Sequence, residues 1–211
     1  MAESTGPRVF LASRNAKKLE EMRRILSGHV PDVEVLGLDD VATYDEPIED
    51  RPTFEGNALL KARAAVLATG LPSLADDSGL CVDALNGMPG VLSARWSGPP
   101  KSDSRNNQLL LAQLEDVPDE RRTAHFTCAV AFAYPVGAAG VAEHVEHGEM
   151  AGRVIREVRG SGGFGYDVLF CAEGHDVTTA ELPREEKDAI SHRGKALAAI
   201  APMVADVLSG L

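Results

Sequence analysis

Cysteine is scarce in this chain of 211 residues: Cys81, Cys128 and Cys171 stand far apart, with no Cys-x-x-Cys pair. That spacing excludes a disulfide or cysteine-based zinc framework, and the three read as small buried hydrophobes in a reducing compartment. Positive charge is also in deficit. Twenty-one Lys and Arg face 32 Asp and Glu, for a net charge of −11, which argues against a long nucleic-acid track or an anionic membrane surface as partner. A small polyanion is still compatible, because a few local cations plus a divalent ion reverse the local sign. No run approaches the ~18 apolar residues of a membrane span. The opening "MAESTGPRVF" lacks a basic-then-apolar leader, so the expectation is a cytoplasmic protein. The chain also lacks internal repeats, low-complexity segments, a Walker sequence and the G-x-S-x-G of a nucleophile elbow.

What is present suits one soluble domain over 1–211, with 44% hydrophobic and 25% charged residues. "RVFLAS" (8–13) predicts a strand, and "NAKKLEEMRRILSG" (15–28) a helix with Leu19, Met22, Ile25 and Leu26 on one stripe and Gly28 as its stop. A second strand is expected over 33–38, and an acidic loop from Tyr44 to Pro52. Thr53 caps a helix to about Thr69, with Phe54, Ala58, Ala62, Ala65 and Val66 inward. Further helices are expected over 102–116 and 191–208, a strand over 167–170, and a hairpin of 122–134 with 140–150 across a Gly-rich turn. Strands alternating with helices, then a hairpin, predict an α/β fold on a mixed sheet.

Three stretches offer chemistry. "SRNAKK" (13–18) lies between a strand end and a helix start, where backbone N–H groups and the dipole favour a phosphate. The bland alternative is a solvated helix start capped by Asn15. "GSGGFGYD" (160–167) matches G-x-G-x-x-G by its letters, but the apolar run "VLF" follows instead of a helix, so a dinucleotide site is rejected. What remains is a loop whose Phe164 and Tyr166 either stack on a planar base or pack in the core. In "EEKDAISHRGKAL" (185–197), Ser191 is expected to cap the last helix and leave His192 and Arg193 in an exposed first turn. In "SLADDSGL" (73–80), Asp76 and Asp77 sit where a strand is expected to end, a polar turn or a cleft-facing carboxylate. "HVEH" (144–147) makes a poor metal site, because His144 and His147 would face opposite sides of a strand.

Together "LASRNAKKLEEMRRIL", "TFEGNALLKARAA", "ADDSGLCVDALNGMPGVLSARWSG", "GGFGYD" and "EEKDAISHRGKAL" resemble the inosine triphosphate pyrophosphatase family across nearly the whole chain. The resemblance implies hydrolysis of deaminated purine triphosphates (ITP, dITP, XTP) to the monophosphate and pyrophosphate, with Mg²⁺. It also implies a homodimer, and a long mixed sheet flanked by helices with two lobes around a central nucleotide-binding cleft. By the same resemblance, Ser13, Arg14, Asn15, Ala16, Lys17 and Lys18 form a phosphate cradle. Asp77 is the catalytic aspartate and metal ligand, Asp76 its acidic neighbour, Ser78 a substrate contact and Glu49 a second metal-binding acid. Phe164, Gly165, Tyr166 and Asp167 form the nucleoside-side loop, and Lys187, His192 and Arg193 contact substrate, with Arg193 expected to donate to the 6-carbonyl of the base. Val168 departs from the proline that many relatives carry there. Two rival readings are a Maf-type pyrophosphatase of different base preference and a nucleotide-binding regulator without turnover.

Overall fold

Short apolar runs buried on both faces, such as 8–11 and 73–82, and the partly alternating run 123–128 build one mixed sheet, and the computed structural model describes residues 6–137 and 140–210. Strand β1 (Arg8–Leu11) pairs in parallel with β2 (Glu34–Leu36) and with β3 (Ser73–Val82). The order is β2-β1-β3-β5-β6-β7, with the short β4 (Met88–Pro89) antiparallel on β3. β5 (Thr123–Val136) and β6 (Gly140–Val154) are the long strands, and β7 (Phe170–Ala172) pairs antiparallel with β6. Residues 138 and 139 of the expected Gly-rich turn lie outside the described residues. Helices α1 (Ala16–His29), α2 (Phe54–Thr69), α3 (Asp103–Gln113), α4 (Arg184–Ile190) and α5 (His192–Ser209) complete the chain. None of the described helices is long and apolar enough to cross a membrane.

The chain divides into two compact units. The first comprises 1–77, 129–147 and 193–211, and the second 78–128 and 148–192. In the first, Ala58, Ala62 and Ala65 of α2 share a core cluster with Phe10, Ala75, Ala129, Ala131 and Ala133 of the sheet and with Ala12 just after β1. Small side chains on both sides let helix and strands approach closely, which brings short polar side chains within reach of each other. In the second unit, Leu110 and Leu114 join Leu80, Phe126, Met150, Tyr166, Leu169 and Phe170 in a bulkier core.

β3 does not end at Asp77 but continues to Val82. Gly28 lies inside α1, which closes one residue later, with Val30 N–H donating to Leu26 O. Residues 167–169 form a 3₁₀ turn instead of a strand, closed by Leu169 N–H on Tyr166 O, and the strand starts at Phe170. No local pattern predicts α4. Its sequence, REEKDAI, has no apolar stripe to announce it.

Candidate functional site

Strand alternation explains the paired aspartates. Adjacent residues of β3 face opposite sides of the sheet, so Asp76 and Asp77 enter different surroundings although both are buried, at 1% and 7% exposure.

Asp76 faces α1 and α5. Its Oδ2 accepts from Lys18 Nζ at 2.9 Å and from Arg193 Nε and Nη2, each at 3.2 Å. Arg193 Nη1 also donates to Glu21 Oε2 at 2.6 Å, closing a buried network across α1, β3 and α5. Burial alone would raise the Asp76 pKa, but Lys18, Arg193 and Lys61 hold it well below the usual carboxylate range.

Asp77 faces α2. Asn57, fully buried, donates from Nδ2 to Asp77 Oδ2 at 2.9 Å, while its Oδ1 accepts the Arg51 N–H at 3.0 Å. One amide thus ties Asp77 to the acidic loop that carries Glu49. Four residues on, and so on the same face of α2, Lys61 Nζ donates to Glu49 Oε1 and to the Asp76 carbonyl, both at 2.6 Å. Burial raises the Asp77 pKa against the opposing pull of Lys61, Lys18 and the Asn57 bond. Lys61 would be lowered by its own burial, but the charges of Asp76, Glu49 and Asp77 raise it above its ordinary value, so it stays cationic.

The "SRNAKK" segment is an N-cap: Asn15 Oδ1 accepts from Lys17 N–H at 3.1 Å and from Lys18 N–H at 3.3 Å. Ser13 Oγ accepts from Asn15 N–H, and exposed Arg14 pairs with Glu46. Ala16 and Lys17 lie exposed in the first turn. In this first unit the fold gathers Lys18, Glu49, Asp76, Asp77 and Arg193 with three residues that the sequence did not single out, Glu21, Asn57 and Lys61. A usable signal existed for two of them. Asn57 and Lys61 interrupt an otherwise alanine-lined helix face at i, i+4.

The second unit holds the other candidates. Ser78 is half-buried on β3. In the glycine loop, Asp167 Oδ2 accepts from Phe164 N–H at 2.8 Å and from Lys187 Nζ at 2.7 Å, and its Oδ1 accepts from Thr179 Oγ1 at 2.8 Å. Gly163, at φ +68°, is packed so tightly that a Cβ there would collide with the Asp167 carboxylate. The Phe164 ring is half-buried with Lys187 Nζ 5.7 Å from its centroid. Tyr166 takes the core alternative, 3% exposed with its hydroxyl donating to Ser93 O at 3.0 Å. The expected exposure of His192 and Arg193 is overturned: both are buried, His192 stacked on Phe126 at 4.8 Å between centroids. Arg193 is buried because two carboxylates compensate its charge.

Among the described residues no cluster of three or more His, Cys, Asp or Glu side chains is placed to share an ion. Mg²⁺ does not require one. It takes one or two carboxylates and fills its octahedron with water and substrate phosphate oxygens. Asp77 and Glu49 are hard oxygen donors of that kind, and a buried carboxylate with a raised pKa is one that a cation would return to its charged form. The donor set fits the ion.

The Ham1 family model matches residues 9–203. The chain is 58% identical to a dITP/XTP pyrophosphatase of Nocardia farcinica, over 95% of this chain and 96% of that protein. It is similar to the crystal structure described as a nucleoside-triphosphatase / dITP/XTP pyrophosphatase from Mycobacterium abscessus, with a TM-score of 0.73 and 53% identity over 92% of this chain and 99% of that one. A HAM1 protein structure from Coxiella burnetii has a TM-score of 0.82 and 39% identity, over 94% and 98% of the two chains.

Proposed function

The chain belongs to the Ham1 family, and from that premise we infer that it hydrolyses deaminated purine nucleoside triphosphates, ITP, dITP and XTP, to the monophosphate and pyrophosphate. Likeness to dITP/XTP pyrophosphatases over nearly the whole length carries this reading. The enzyme clears non-standard purines from the nucleotide pool, acts as one domain over 1–211, works as a cytoplasmic homodimer and uses Mg²⁺.

Asp77 and Glu49 would hold the metal, and when bound it acidifies water and screens phosphate charge. Attack of water at the α-phosphorus breaks the α–β anhydride and releases pyrophosphate. Asp77 orients the water, and Asn57 holds the carboxylate in place. The α1 start (Ser13, Arg14, Asn15, Ala16, Lys17, Lys18) receives phosphate, and Lys18 and Lys61 supply positive charge. Asp76 keeps Lys18 and Arg193 in position. On the nucleoside side, Ser78, Phe164, Gly165, Tyr166, Asp167, Lys187 and His192 contact or shape the base site, with Phe164 as the stacking ring.

Pyrophosphate release with Mg²⁺ is the test, run across ATP, GTP, ITP, dITP and XTP. The deaminated purines should exceed ATP and GTP in kcat/KM by at least about one to two orders of magnitude, the scale of one mispaired polar group in a binding site. Comparable values for all five would overturn the substrate assignment.

A further inference from the structure

One helix grips the backbone of the loop that carries Phe164. Gly165 sits at φ +62°, in the left-handed region that favours glycine. Its N–H donates to Asp103 Oδ2 at 2.8 Å, and its C=O accepts from Asn107 Nδ2 at 3.0 Å. Asp103 and Asn107 are four residues apart on α3 and so share one face. Both hydrogen-bonding groups of Gly165 are thereby fixed by a single rigid element. The residue after it is anchored through the same region, since Tyr166 Oη donates to Ser93 O, which also accepts from Asn106 Nδ2 at 3.3 Å.

Asn107 is a costly choice for a core position. It is 5% exposed, and its Oδ1 is buried without a hydrogen-bond partner among the described residues. A helix that served only the core would place an apolar residue here, as α3 does at Leu110. The amide orientation is fixed chemically: the Gly165 carbonyl needs a donor, so Nδ2 faces it.

We propose that Asp103 and Asn107 are positioning residues for base selection, fixing the Gly165 backbone and with it the presentation of the Phe164 ring. The proposal rests on the assignment of the Phe164 loop to the base made above. Asp103 is solvent-exposed, so truncating it tests the grip without disturbing the core.

The experiment measures kcat and KM for ITP and for ribose 5-triphosphate, which lacks a base, with thermal unfolding recorded for each variant. Asp103→Ala and Asn107→Leu should each lower kcat/KM for ITP about tenfold, the scale of one lost hydrogen bond, chiefly through KM. Ribose 5-triphosphate should change by no more than about twofold. Asp103→Asn, whose Oδ1 still accepts the Gly165 N–H, should return ITP to within about threefold of wild type. Equal losses on both substrates, or an unchanged KM for ITP in folded Asp103→Ala, overturn the proposal. Phe164→Ala separates it from its premise. If that variant keeps the wild-type preference for ITP over ribose 5-triphosphate, the assignment of the loop to the base has failed. If it loses the preference while the α3 variants keep it, the grip alone is wrong.

Discussion

Lys18 Nζ stands 2.9 Å from Asp76 Oδ2, on the same oxygen that receives Arg193. The two aspartates of β3 therefore divide the work. Asp76 is committed to organising cations, and Asp77, on the other face, meets Asn57 and the field of Lys61. Removing either carboxylate should have different consequences.

Asp76→Asn should act first on stability. The folded pKa of Asp76 is depressed, so its stabilisation is complete above the ordinary aspartate value of about 3.9 and is lost as pH falls through the folded value. At neutral pH the variant leaves two cations facing a neutral amide, a loss of about 3–5 kcal/mol for a broken buried pair. Urea midpoints as a function of pH provide the check. The variant's curve should fall less steeply than wild type below about pH 4, and parallel curves would show that Asp76 carries no such charge.

Asp77→Asn should leave folding intact and lower turnover by about two to four orders of magnitude, as expected when a group essential to water activation is removed. Steady-state rates at saturating ITP and Mg²⁺ decide this. A rate within about threefold of wild type would remove Asp77 from the reaction.

Asn57→Leu should move the pH profile. The Asn57 hydrogen bond favours the charged form of Asp77, so its loss raises further a pKa that burial has already raised. If the reaction needs ionised Asp77, the acidic limb of kcat shifts to higher pH. An unmoved limb would mean that another group titrates there.

Lys18→Ala should weaken triphosphate binding and spare nucleoside binding, because a point charge acts on the anion and not on the base. Calorimetry with a non-hydrolysable ITP analogue and with inosine makes the comparison. Matching losses for both ligands would place Lys18 elsewhere.

Arg193→Leu distinguishes two roles for the guanidinium. Its bonds to Glu21 and Asp76 predict a marked fall in thermal stability and proportionate losses with ITP and ATP. A loss confined to ITP in a stable variant would instead mean that Arg193 reaches the 6-carbonyl of the base.

Local pattern was sufficient for much of the fold. The apolar stripe of α1 and its Asn15 cap, the Thr53 cap of α2 and its alanine face, and the mixed α/β sheet all follow from period, propensity and capping, which act within a turn or two of chain. The same local reach explains the rejected dinucleotide site: a 3₁₀ turn and a strand follow the glycines of "GSGGFGYD". It also bounds what local pattern can tell. α4 has no stripe, and nothing near Asp77 in sequence tells that β3 runs on to Val82, paired there with Met88.

Tertiary structure alone decided the company each charge keeps. Lys18 meets Asp76 across 58 residues of chain, and Arg193 meets it across 117. The sequence determined that Asp76 and Asp77 must face opposite ways if they lie in a strand, because the side-chain period is two. Whether that strand continued, and which cations and amides each of the two carboxylates met, depended on the packing of α1, α2 and α5 against the sheet. Burial makes an uncompensated charge expensive, so packing sets each carboxylate's ionisation, which no local pattern encodes.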